Sequence, residues 1–227
     1  MRVLFLSVFA LLATATPANA APRVICIDPG HERTPDLSME RIGPGSTTYK
    51  VKDPGGTAGE ATVVLQISKK LRKILVRRGY EVVMTRTTME FDRGNGGNIA
   101  RAKFCNRHDA ALMVRVHADG STDRSRHGAS TLYPAWHKGW TGDILPESRE
   151  AAADMQKAFV AKTGAADLGL VRRADLTGFN WANVPAILVE TGFMTNPTEG
   201  RRLKTDRYQW RVAHGLANGT SAFAPKP

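Results

Sequence analysis

Apolar residues along this chain follow two rhythms: short, nearly unbroken runs, and longer stretches in which they return at helical spacing. Unbroken runs rich in Val, Ile and Leu suit strands buried on both faces. They occupy residues 23–28, 80–86, 110–117 and 185–190; a further run at 127–133 reads as an edge strand, because a long polar loop with Trp136 and Trp140 follows it. From Glu60 onward the rhythm changes. Val63, Val64, Ile67, Leu71, Ile74 and Leu75 fall on one face and Lys69, Lys70, Arg72, Lys73, Arg77 and Arg78 on others, which predicts an amphipathic helix. Gly79 is placed to close it, behind basic residues that suit the negative end of the helix dipole. Further helices are predicted over 98–107 with Asn98 as cap, over 146–163 with Gly164 as stop, and from the Asn196-Pro197-Thr198-Glu199 start signal to about 218. Residues 32–59 carry Gly, Pro, Ser and Thr without a period and read as one long loop, and 168–182 as irregular with a short strand.

Strands alternating with helices predict an α/β fold: a single-domain, twisted, mostly parallel sheet flanked by helices on both faces. Right-handed crossovers place successive strand ends on the same side. Residues far apart in sequence can then converge there. The sequence holds no internal repeat and no second domain.

The ends of the chain read differently. Met1-Arg2, the apolar stretch 3–13 and Ala18-Asn19-Ala20 predict a signal peptide over 1–20, cut after Ala20. The apolar stretch is shorter than the ~20 residues that span a bilayer. The remaining chain is expected as one domain over 21–222 with a loose tail at 223–227, exported to the periplasm or beyond, without an integral membrane segment, and monomeric. The balance of 32 Lys plus Arg against 21 Asp plus Glu gives a net charge of +11, which draws an exported protein to anionic wall polymers or lipid head groups. Nucleic acid is not expected as a partner, since zinc-finger spacing and RNP-like aromatic motifs are absent from the sequence. Cys26 and Cys105 can form a disulfide outside the cytoplasm, but a place in a core strand and on a helix favours two buried thiols.

Three of the apolar runs end in a side chain able to bind or serve a metal. Val24-Ile25-Cys26-Ile27-Asp28-Pro29-Gly30 leads to His31, Met113-Val114-Arg115-Val116 to His117, and Ala186-Ile187-Leu188-Val189 to Glu190. In open α/β sheets, ligands collect at strand ends. His108, His127, His137 and His214 lie near helix ends or in loops and are read as structural or solvated. A catalytic zinc takes three protein ligands and a water. Glu60, opening the long helix, and Glu32, beside His31, are the candidates for a third ligand, although Glu60 also reads as ordinary acidic decoration of a first turn. Asp28 and Asp119 stand nearby, and Asp28 is expected to brace the turn or orient a histidine. Glu190 is either a core carboxylate paired with an arginine or the general base beside an activated water.

Taken together, Ile27-Asp28-Pro29-Gly30-His31, Glu60 at the start of a long helix, Arg115-Val116-His117-Ala118-Asp119-Gly120 and Leu188-Val189-Glu190-Thr191-Gly192-Phe193-Met194-Thr195-Asn196 resemble the zinc-dependent N-acetylmuramoyl-L-alanine amidases of the amidase-3 type, across roughly residues 23–218. The resemblance implies one Zn²⁺ on His31, Glu60 and His117 with Glu190 as the catalytic carboxylate. The implied partner is peptidoglycan or its muropeptide fragments, cut between the lactyl group of N-acetylmuramic acid and L-alanine. Where that family continues with glycines after its first motif, this chain has Glu32-Arg33-Thr34-Pro35 and a long interval to Glu60, which implies a lineage-specific loop over the cleft. Arg33, Arg172 and Arg173 are candidates for a basic rim, and Trp136, Trp140 and Trp181 for stacking on sugars. The competing readings are a zinc peptidase acting within the stem peptide and a non-catalytic wall-binding protein.

Overall fold

The buried runs pair side by side. A computed structural model describes residues 23–90 and 97–225; the expected signal peptide lies outside these residues. The elements in chain order are β1 (Val24–Pro29), β2 (Asp36–Arg41), β3 (Tyr49–Asp53), α1 (Glu60–Arg77), β4 (Glu81–Met84), α2 (Gly97–Arg107), β5 (Leu112–Asp119), β6 (Ala129–Pro134), α3 (Leu145–Thr163), β7 (Asp167–Arg173), α4 (Thr177–Asn180), β8 (Ala186–Phe193), α5 (Pro197–Leu203) and α6 (Asp206–Phe223). The main sheet has the order β4-β1-β5-β8-β6-β7. Its pairs β1–β4, β1–β5 and β5–β8 are parallel, β6 runs antiparallel to β8, and β7 pairs in parallel with β6.

Alternation along the central strands divides the core in two. Ile25, Ile27, Val114, Val116, Ile187 and Val189 face one side, where they pack with α1, α3 and α6. Cys26, Met113, Ala186 and Leu188 face the other, against Phe104 of α2 and Phe179 of α4. The strands are apolar throughout because both faces are covered. At the carboxyl ends this second face changes character: the next residues in the alternation are Asp28, Arg115, His117 and Glu190, with Asp28 beside Arg115 and His117 beside Glu190 in register.

Several elements depart from expectation. The stretch 32–59 holds the hairpin β2–β3 in place of an unstructured loop. Its first strand buries Glu40 and exposes Leu37 and Met39, so the usual apolar-inward signal is inverted. β6 is an interior strand, and β7, within the stretch read as irregular, takes the edge. Asn98 does not cap α2. The Glu40 carboxylate does so from β2, accepting from the amides of Asn98 and Ile99 at 3.1 Å each. The expected C-terminal helix is two: Asn196 caps α5 as anticipated, but Thr205 caps a new helix, α6, whose first-turn amide of Tyr208 it receives. α6 also continues past 218 to Phe223, and Ala224 behind it is buried, its carbonyl accepting from Tyr80 Oη at 2.8 Å.

Cys26 and Cys105 are joined in a disulfide across 79 residues of sequence, which corrects the preference for free thiols. A core strand and the covering helix can be bridged when the two cysteines face each other, and both lie in the same core cluster. Among the described residues no helix is long and apolar enough to cross a membrane.

Candidate metal centre

The turn after β1 brings in the first imidazole. Gly30 donates to Val116 O at 2.9 Å, which ties the turn to β5, and a Cβ at Gly30 would collide with the His117 ring. Glycine is therefore what permits the close approach. His31 follows with φ 55, a left-handed conformation that a non-glycine residue adopts only when its surroundings hold it. Those surroundings are specific. His31 Nδ1 donates to Asp53 Oδ1 at 2.7 Å, and its Nε2 lies 3.2 Å from Glu60 Oε1.

Two buried arginines grip the same turn by its carbonyls. Arg86 donates to Pro29 O, Gly30 O and Ala61 O at 3.1, 2.7 and 3.0 Å, and so stitches the His31 turn to the first turn of α1. Arg101 donates to Pro29 O and to His31 O at 2.8 and 3.2 Å and pairs with Asp28 at 2.7 Å. Asp28, fully buried, also receives Thr85 and Arg115. Burial opposes its charge, but the two guanidiniums outweigh burial and hold the carboxyl well below the usual range. Asp28 thus braces the strand ends through arginines and does not orient a histidine; Asp53, which the sequence reading passed over, does.

Glu60 sits at the first position of α1 behind Gly59, whose φ of 85 swings the chain into the helix. Its carboxylate receives the amides of Thr57 and Ala118 at 2.9 and 3.1 Å and lies 3.3 Å from His117 Nδ1. A Cβ at Gly56 would strike Glu60 and His31 together, so this glycine too is required by proximity. Ligand atoms of His31, Glu60 and His117 all lie within 4.8 Å of one another. Glu32, the rival ligand, turns away to Arg101 at 3.1 Å.

The electrostatics suit a cation. Glu60 is buried, yet hydrogen bonds from His117 and His31 overcome that penalty and keep it ionised well below the ordinary carboxylate range. Burial works against charge on His31 as well, but Asp53 and Glu60 prevail and raise it to about 9. His117 is pushed down to about 4, by burial first and by the His31 charge, against the pull of Glu60. His117 is therefore neutral, and its Nε2 is a buried atom with no hydrogen-bond partner among the described residues. Glu190 Oε2 is another. Burial, then the charges of Glu60 and Asp119, push the Glu190 carboxyl well above its usual range. Two imidazoles and one ionised carboxylate within 4.8 Å of one another form a donor set that fits a divalent transition ion. Glu190 stands beside them on the neighbouring strand.

The other expected participants sort by place. Asp119 lines the cleft with His31, Glu60, His117 and Glu190. Arg33 pairs with Glu90 at the surface. Trp140 and Trp181 donate their indole N–H groups to Pro44 O and Arg41 O and so fasten the turn of the hairpin, while Trp136 is exposed.

The profile of a family described as N-acetylmuramoyl-L-alanine amidase matches residues 25–222. An N-acetylmuramoyl-L-alanine amidase of Mycobacterium tuberculosis is 29% identical over 225 residues, covering 93% of this chain and 90% of the relative. The amidase AmiA of Salmonella typhimurium is 25% identical over 245 residues, covering 92% and 78%. Among solved structures, the amidase Ami1 of Mycobacterium smegmatis shares the fold with a TM-score of 0.78 at 24% identity, over 91% of this chain and 98% of that one. The catalytic domain of the amidase CwlV of Bacillus (Paenibacillus) polymyxa superposes with a TM-score of 0.67 at 27% identity, over 88% and 97%.

Proposed function

Since the chain belongs to the N-acetylmuramoyl-L-alanine amidase family, we propose that it cleaves peptidoglycan at the amide between the lactyl group of N-acetylmuramic acid and L-alanine, with one Zn²⁺ held by His31, Glu60 and His117 and with Glu190 as general base and acid. The family match carries the amidase activity. The observation that carries the zinc reading is the convergence of two imidazoles and an ionised carboxylate within 4.8 Å, with Glu60 Oε1 3.2 Å from the His31 ring and 3.3 Å from the His117 ring.

When bound, zinc supplies Lewis acidity, making water more acidic and polarising the scissile carbonyl. The protein's own groups do the rest. Asp53 fixes the His31 ring through Nδ1, leaving Nε2 directed at the centre. Glu60 is oriented by two backbone amides and so offers its charge in one direction. The Glu190 carboxylate takes a proton from the attacking water and returns it to the alanine nitrogen as the C–N bond breaks. Burial raises its pKa, which favours its holding the proton between the two halves of that transfer. Export to the wall, through the leader at 1–20, completes the reading, because the polymer lies outside the membrane.

The test is the product. Muropeptides digested by the protein should yield intact stem peptide and peptide-free muramic acid by mass spectrometry, and a chelator should stop the reaction. Fragments cut within the stem would favour a peptidase instead. Glu190→Gln should abolish turnover, by roughly 10²–10⁴-fold, while the protein still binds one zinc ion; an active Glu190→Gln enzyme would exclude the proposed base.

A further inference from the structure

His31, His117 and Glu190 line two cavities at once and form the saddle between them. One cavity, of about 530 Å³, has backbone and hydroxyls for its far wall: Gly56, Thr57, Ser121, Thr122 and Thr195, with Asp119 beside them. The other, of about 210 Å³, lies against β3 and carries the five cations Lys50, Lys52, Arg101, Arg115 and Arg173 against the three carboxylates Glu32, Asp53 and Glu190. The two sides of the centre thus differ in both size and sign.

The five cations are not equivalent. Arg101 and Arg115 are buried on Asp28 at 2.7 and 2.8 Å, and Lys52 lies 3.5 Å from Asp36. Arg173 and Lys50 share a single carboxylate, Asp175, at 2.7 and 3.5 Å, and Asp175 is not among the residues lining the cavity. Two cations on one carboxylate leave a positive charge in excess, on side chains that retain 35% and 39% of their exposure. Arg172, the next residue back on β7, projects to the opposite face of the strand.

We propose that Arg173, with Lys50, is the specificity-determining pair of this enzyme: it binds a carboxylate of the stem peptide, so that the peptide runs into the narrow cationic cavity and the neutral sugar lies in the hydroxyl-lined one. This assignment rests on the amidase reading above. A volume of 210 Å³ is below the roughly 300–1,000 Å³ of sites that enclose drug-sized molecules, which suits one or two peptide residues better than a disaccharide. Glu190 lines the same cavity as Arg173, and one extended residue advances the chain about 3.5 Å. The carboxylate selected is therefore one within the first residues after the scissile amide, which we assign to the residue next to L-alanine, and the substrate class is a stem peptide in which that carboxylate is not amidated.

Two synthetic stem peptides test this, one with a free α-carboxylate on its second residue and one with the carboxamide there, titrated calorimetrically into the zinc-loaded protein. The wild-type protein should bind the carboxylate form about tenfold more tightly. Arg173→Gln and Lys50→Gln should each bring the two peptides to within about twofold of one another, with most of the loss falling on the carboxylate form. Asp175→Asn removes the competing charge and should sharpen the preference. Equal binding of both peptides by the wild-type protein, a preference that survives Arg173→Gln, or equal weakening of both peptides in that variant would overturn the proposal. Loss of amide cleavage at muramic acid would overturn the amidase reading alone, because peptide discrimination is read without turnover.

Discussion

His31 owes its position to a left-handed backbone, a glycine before it and an aspartate from another strand, and its chemistry follows from those neighbours. Its folded pKa of about 9 lies above the ordinary 6.5. In the metal-free protein its charged contacts therefore stabilise the fold fully below pH 6.5 and are lost as pH rises through about 9. A divalent ion competes with that proton. Zinc binding at pH 7 should release about one proton from this site, and affinity should rise roughly tenfold per pH unit until about pH 9; calorimetry in buffers of different ionisation enthalpy measures both, and binding without proton release would count against the assignment. Asp53→Asn should weaken zinc binding by roughly 10–100-fold with little change in fold, which competition against a chelating dye reads directly. The nearness of His31, His117 and Glu190 was legible in the sequence because each closes an apolar run, whereas Glu60 by its place alone reads as ordinary decoration of a first turn and entered only with the family resemblance. Asp53 and Arg86 were not legible, since their roles depend on hydrogen bonds across segments whose pairing no local pattern encodes.

At the scale of elements, the long helices and central strands follow from periodicity because burial on defined faces generates it. The hairpin β2–β3 escapes that logic: with Leu37, Met39 and Tyr49 exposed and Glu40 buried, it has no core-facing alternation to read. Polar groups hold it instead. Glu40 caps α2, Trp140 and Trp181 grip its turn, and Asn180 donates to Ile42 O at 3.0 Å. Gly97 is part of the arrangement, since a Cβ there would come within 2.8 Å of Glu40 Oε2. Glu40→Ala removes the cap and should lower stability by about 1–2 kcal/mol, measured by urea denaturation. A variant with unchanged stability would show that water replaces the carboxylate without loss. The arginine-held strand ends are more sensitive. Asp28→Ala removes the carboxylate that buried Arg115 pairs with and leaves Arg101 with Glu32 as its carboxylate, and should cost about 3–5 kcal/mol, visible in the same experiment.

For the whole molecule, alternation of strands and helices was enough to predict a mostly parallel sheet covered on both sides. The order of its strands was only partly so. β6 reads as an edge from its flanking polar loop, yet it lies inside the sheet because β7 extends past it, and β7 reads poorly because Leu168, Leu170 and Val171 stay exposed. The link between Cys26 and Cys105 crosses from a central strand to a helix on the functional face. Replacing both by Ala should cost about 2–5 kcal/mol, measured as a lowered melting temperature, and an unchanged value would mean that the unfolded chain gains little freedom. Both cysteines have 0% exposure. Dithiothreitol or glutathione consequently finds nothing to attack on the native surface. Once sealed, the link persists for as long as the fold stays shut, so the rate of global opening, and not the reducing strength of the medium, governs how soon it is lost.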